Sequence, residues 1–126
     1  MILQNGSTLA YLGDSIYEAH IRAYLLSQGY NDVNKLHRLA TNYTSGTNQA
    51  KIMKALLEKE LLTEEEIGYY KRGRNANHSS GGRKINVTDY HMATGFEALI
   101  GALYLKKNEA RLEGVISLAI KIVEEG

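Results

Sequence analysis

The chain contains no cysteine, no proline, no tryptophan and one phenylalanine in 126 residues. Without cysteine there is no disulfide framework, no thiolate nucleophile and no cysteine-ligated zinc. That fits a reducing cytoplasm, the location expected here. Long apolar runs are missing too. None reaches the ~18–20 residues of a membrane span, and the N-terminus lacks the basic-then-apolar pattern of a secretory signal. No charge of one sign dominates: the net charge is +1. This excludes a strongly basic tail but leaves room for a local basic patch. There is no dinucleotide glycine motif, Walker loop or serine elbow. His20, His37, His78 and His91 show no metal-ligand spacing.

What remains is enough for one domain around one core, punctuated by glycine and asparagine. The pattern predicts an all-α fold. Helix one is expected over about 7–28, with Ser7 as N-cap and Gly29 as the stop. At ~100° per residue, Leu9, Leu12, Ile16, Ala19 and Ala23 share one face and Tyr11, Asp14, Glu18 and Arg22 lie nearly opposite. Further helices are expected over about 33–43, 45–61, 64–72, 88–106 and 108–124. Ile52, Met53 and Leu56 would face inward on the third. Thr63-Glu64-Glu65-Glu66 reads as a capping box. On the fifth, Phe96, Leu99, Ile100 and Leu103 form an apolar face, and Ala98, Gly101 and Ala102 would let another helix approach.

Two carboxylates stand out. Asp14 sits in LAYLGDSIYE and Glu97 in ATGFEALIGALYL, each isolated in an apolar helical stretch and flanked by small residues. A carboxylate buried there costs free energy unless a cation or donor pairs with it. Two such helices meeting would make a hard-metal site. The plainer alternative is two polar residues satisfied by backbone donors or an arginine. Glu18 lies one turn after Asp14 and is a third candidate for the metal; the alternative is an ordinary i,i+4 pair with Arg22.

The segment 73–87, GRNANHSSGGRKINV, reads as a long flexible basic loop. Lys71, Arg72, Arg74, Arg83 and Lys84 bracket it, with Asn75, Asn77, Ser79 and Ser80 as further donors. They could grip phosphates without reading sequence, or serve only as a solvated connection. Tyr69 and Tyr70 precede it, as core residues or as a stacking surface for RNA.

Together these segments resemble the ribonuclease III family. LGDSIYE resembles its signature helix, with Asp14 at the metal-binding aspartate. TGFEALIGALYL resembles the second carboxylate helix, with Glu97 at the glutamate. KRGR and LHRLATNYTSGTNQAKI are similar to the segments between, so the likeness spans about 8–123. RGRNAN and LHRLAT resemble the mini-ribonuclease III group, in which a catalytic domain stands without a double-stranded-RNA-binding domain. Residues 1–126 are accordingly expected to be one catalytic domain, a ribonuclease III-like helical bundle. The usual signature also carries a glutamate four residues before the aspartate and an aspartate three before the glutamate. Here those positions are Ala10 and Thr94.

The resemblance implies a Mg²⁺-dependent endoribonuclease acting on double-stranded RNA as a homodimer, leaving 5′-phosphate and 3′-hydroxyl ends. It implies a large-subunit ribosomal RNA precursor as substrate. Asp14 and Glu97 would be the catalytic metal ligands, and Lys71, Arg72, Arg74, Asn75, Arg83 and Lys84 would contact RNA. The missing acids motivate the alternative, an inactive RNA-binding or ribosome-assembly module of the same fold. A helical protein-interaction domain would leave Asp14 and Glu97 unexplained.

Overall fold

The computed structural model describes residues 1–76 and 86–126. Among them are six α-helices and no strand: α1 Gly6–Ser27, α2 Val33–Thr44, α3 Gly46–Glu58, α4 Glu64–Arg74, α5 Val87–Leu105 and α6 Glu109–Glu125.

Each helix starts where a short polar side chain can accept a backbone N–H three residues on. Asp32, Ser45 and Asn108 cap α2, α3 and α6, accepting from Lys35, Asn48 and Arg111. Thr63 and Glu66 close the predicted capping box on α4, at 3.1 and 2.9 Å. Asn86 caps α5, at 2.8 Å from the Asp89 nitrogen. On α1 the cap is Asn5, not Ser7. Asn5 has an extended backbone, and its side chain accepts from Thr8 at 2.9 Å. Ser7 therefore falls inside the first turn. The stop at Gly29 is as expected: it adopts φ +96°. Its N–H reaches the Leu26 carbonyl at 3.0 Å, and that of Tyr30 reaches Leu25 at 3.3 Å.

The buried face of α1 differs from the expected one. It runs through Leu9, Ala10, Gly13, Tyr17, Ile21 and Leu25. Leu12 and Ile16 are half-buried, while Ala19 and Ala23 are exposed. The larger apolar bodies of Tyr17 and Ile21 win over two alanines. Tyr17 packs edge-on against Phe96, with ring centroids 5.0 Å apart. Its hydroxyl donates to the Tyr43 carbonyl at 3.0 Å, so burial leaves it satisfied.

Helix α5 is the axis of the fold, with α1, α3, α4 and α6 packed around it. From 93 to 103 every residue is buried except Glu97. The expected apolar face of α5, and Ile52, Met53 and Leu56 on α3, all lie in the core.

Two polar staples were not read from the sequence. Arg111 at the start of α6 donates to both carboxylate oxygens of Glu66, at 2.6 and 2.8 Å, and to the Leu61 carbonyl at 2.7 Å. These bonds hold the Glu66 carboxyl below its ordinary pKa. At the other end of α6, Glu124 accepts from the hydroxyls of Tyr24 on α1 and Tyr43 on α2.

Candidate active site

The crossing of α1 and α5 is made by glycine. A Cβ on Gly13 would lie 1.7 Å from the Glu97 carbonyl oxygen, and one on Gly101 would lie 2.1 Å from that of Leu9. Neither distance is sterically possible, so the two backbones touch because both residues lack side chains. Asp14 follows Gly13 directly, and Glu97 is the residue whose carbonyl Gly13 meets. The close approach thus places both carboxylate-bearing residues at one helix crossing.

Their surroundings differ from the sequence expectation in one respect. Asp14 is exposed and Glu97 half-buried. Asp14 lies at the margin of the core face, so it bears no burial penalty that a cation must offset. The donor chemistry still suits a hard cation such as Mg²⁺, which prefers carboxylate oxygen and keeps several waters. Glu18 does what the plainer reading expected: its Oε2 accepts from Arg22 Nε at 3.0 Å. Among the described residues there is no group of three or more His, Cys, Asp or Glu able to hold a metal.

A second glycine contact brings the basic segment to the same place. A Cβ on Gly73 would lie 2.7 Å from the Thr94 carbonyl oxygen and 2.6 Å from the Ala98 Cβ. One on Gly6 would lie 2.0 Å from the Arg72 carbonyl oxygen. The last turn of α4 is therefore wedged between the first turn of α1 and the part of α5 that carries Glu97. Gly73 and Arg74 belong to this turn rather than to a loop, and Val87 opens α5.

The basic residues of α4 are not equivalent. Lys71 is exposed. Arg72 donates to the Ile2 carbonyl at 3.0 Å and the Gln4 carbonyl at 3.4 Å, strapping the N-terminal segment across the end of α4. Arg74 donates to Asn75 Oδ1 at 3.1 Å and lies over the Tyr70 ring. Tyr69 and Tyr70 are buried, so they are core residues and not a stacking surface. Burial raises the Tyr70 hydroxyl pKa. Arg83 and Lys84, with Asn77, Ser79, Ser80 and the body of the expected loop, lie outside the described residues.

Gly6, Gly73 and Gly95 are packing residues as well, which the sequence pattern did not single out. Gly95 gives way to the Tyr70 ring, 2.5 Å from where its Cβ would stand. The available signal was glycine inside helical apolar pattern, which usually marks a close approach.

Residues 7–108 match the model of the ribonuclease III domain, a span that holds both Asp14 and Glu97. The chain is 51% identical over 121 residues to Mini-ribonuclease 3 of Enterococcus faecalis, covering 96% of this chain and 92% of that protein. It is 43% identical to Mini-ribonuclease 3 of Streptococcus pneumoniae, covering 97% and 95%. A crystal structure of a protein from Fusobacterium nucleatum superposes with a TM-score of 0.82 at 35% identity, covering 94% of this chain and 93% of that one. The chain belongs to the ribonuclease III family, within its mini-ribonuclease III group, and is an endoribonuclease.

Proposed function

We propose that the chain cleaves double-stranded RNA in a Mg²⁺-dependent reaction, with Asp14 and Glu97 as the metal ligands. The carrying observation is the backbone contact between Gly13 and Glu97, which brings the two carboxylate-bearing helix segments together. A divalent cation held there supplies a lowered water pKa and neutralises charge on the scissile phosphate. The protein's part is to hold the carboxylates on two rigid helices and to seat the phosphate beside them. Glu18, held by Arg22, we assign to a supporting position rather than to the metal.

To RNA binding we assign Lys71 and Arg74 on α4, Asn75 that caps its C-terminus, and, from the sequence, Arg83 and Lys84. A-form RNA hides its base edges in a narrow major groove, so these side chains meet phosphates and 2′-hydroxyls. Arg72 acts mainly through its strap on the N-terminal segment. The substrate we infer is a large-subunit ribosomal RNA precursor in the cytoplasm, on the strength of the mini-ribonuclease III resemblance.

Two copies are required to cut both strands of a duplex from sites related by a two-fold axis. Tyr11, one turn before Asp14, is 84% exposed in the single chain. An aromatic ring so placed, beside the site, suits a surface that a second copy covers. Leu25, further along α1, is part of the core.

Ala10 and Thr94 favour a second reading, an inactive RNA-binding module. Incubation with long duplex RNA decides between them. We expect short duplex fragments with 5′-phosphate ends in Mg²⁺ and none in EDTA. Intact RNA in both would support the inactive module.

A further inference from the structure

The end of α1 and the start of α2 enclose a groove that the proposed chemistry does not use. It is lined by Arg22, Leu25 and Leu26 on α1 and by Val33, Leu36, His37 and Ala40 on α2. These are i, i+3, i+4 positions on α1 and i, i+3, i+4, i+7 positions on α2, so each helix turns one face to the groove. The floor is core: Leu25 is 3% exposed and Ala40 6%. The walls are open. Leu26 is 57% exposed and Val33 63%, and exposed Tyr30 stands in the turn between them. No other eight-residue stretch among the described residues carries three exposed large apolar side chains. Single exposed apolar residues are ordinary, but a contiguous set beside a groove marks an interaction surface.

Size and charge select the occupant. The groove has a volume of about 190 Å³, below the ~300–1,000 Å³ of small-molecule and cofactor sites. It suits one or two apolar side chains, not a nucleotide. Its α2 wall runs from Val33 to Ala40, about 12 Å of helix, which seats two anchors one turn apart. The surrounding charge is positive. Lys35 and Arg38 are exposed on α2, and no acidic residue occurs between Asp32 and Glu58. Two carboxylates close by in the chain are engaged: Asp32 accepts from the Lys35 N–H at 3.0 Å, and Glu18 from Arg22. An RNA phosphate would gain nothing from Leu26 and Val33 and would lose water against them. A second copy would set this basic rim against its own image, and like charges across an interface repel.

We propose that the groove docks a protein partner through an acidic amphipathic helix. Apolar side chains one turn apart enter between Leu26 and Val33, and flanking Asp or Glu side chains face Lys35 and Arg38. This is a helix laid into an apolar groove, with the anchors giving affinity and the charges giving selectivity. It is independent of the assignment of Asp14 and Glu97.

The test uses the intact protein and three fluorescein-labelled peptides as probes, read by fluorescence anisotropy. The first is a helical peptide with leucine at i, i+3, i+4 and i+7 and glutamate between. The second keeps the leucines and carries lysine in place of glutamate. The third has the composition of the first in scrambled order. We expect the acidic helix to bind saturably and at least tenfold tighter than either control. Leu26→Asp and Val33→Asp should each weaken it at least tenfold. Lys35→Glu combined with Arg38→Glu should turn the preference toward the lysine helix. All four side chains are exposed, so circular dichroism should be unchanged and duplex RNA cleaved at the parent rate.

No saturable binding of the acidic helix up to roughly 1 mM would overturn the proposal. So would equal binding of the acidic and lysine helices, or binding that survives Leu26→Asp and Val33→Asp together. If Val33→Asp lowers duplex RNA affinity, the groove belongs to the substrate. If it lowers the mass found by light scattering, a second copy covers the groove. Either result contradicts a protein partner there.

Discussion

The carbonyl oxygen of Glu97 occupies the place where Gly13 would carry a side chain, 1.7 Å from an ideal Cβ. Backbone meets backbone there, and no rotamer change can relieve an added methyl. Gly13→Ala must therefore push α1 off α5. We expect a loss of about 2–3 kcal/mol of stability, the upper part of the usual overpacking range. Cleavage should fall further than unfolding explains, because the same shift separates Asp14 from Glu97. Urea melts, with activity measured well below the midpoint, check both. A protein of unchanged stability would show the crossing to be looser than described.

The Glu66–Arg111 pair makes a prediction about acid. Glu66 has its folded pKa lowered, first by the hydrogen bond from Arg111. The unfolded chain then binds a proton that the folded chain does not, at pH values below the ordinary glutamate range of about 4. Stability from this group is fully present above that range and is lost as pH falls through the lowered value. Glu66→Gln should flatten the acid limb of a thermal-stability profile. Because it leaves the guanidinium without its charge partner, it should also cost roughly 2–4 kcal/mol at neutral pH. A mutant whose profile parallels the parent's below about pH 4 would contradict this.

RNA affinity should depend on salt through Lys71, Arg74, Arg83 and Lys84. Removing one side chain that neutralises a phosphate should reduce the log–log salt slope by about one unit. Neutralising all four should weaken duplex binding strongly and leave the helical fold unchanged. Arg72→Gln should behave differently, loosening the N-terminal segment with little change in slope, because its guanidinium is engaged by the Ile2 and Gln4 carbonyls. Filter binding across a salt series distinguishes them. Unchanged affinity and slope in the fourfold variant would place the RNA elsewhere.

Light scattering should give twice the 14.0 kDa of one chain. Tyr11→Asp puts a charge on the exposed ring position and should shift the mass toward the single chain, with cleavage falling in step. A monomeric parent at working concentration would sink the dimer.

Much of this architecture was legible because helices advertise themselves locally. Capping residues, the Thr63–Glu66 box and the glycine stop at Gly29 act within four residues of where they are read. The buried face of α1 departs from the one periodicity alone predicts, because Ala19 and Ala23 offer too little apolar area to hold it against the core. What decided the face was burial of Tyr17 and Ile21 against α5, a contact with residues about eighty positions away. Asp14 and Glu97 were found as charges out of place in apolar pattern. Asp14 is exposed, so an apolar surrounding in sequence did not mean a buried charge in the fold. Arg72 could not be told from Arg74 in sequence. Their difference arises from where the N-terminal segment crosses α4. The Arg111 staple was equally hidden, since nothing near Arg111 in the chain names Glu66 as its partner.

The most direct test of the site is paired substitution of its carboxylates. Asp14→Asn and Glu97→Gln each keep size and shape and remove the charge that a hard cation requires. Initial cleavage rates on long duplex RNA should be measured at ordinary Mg²⁺, with circular dichroism confirming helical content. Each variant should lose at least a thousandfold in rate, about 4 kcal/mol of transition-state stabilisation, with the fold intact. Near-normal cleavage by either variant would contradict it.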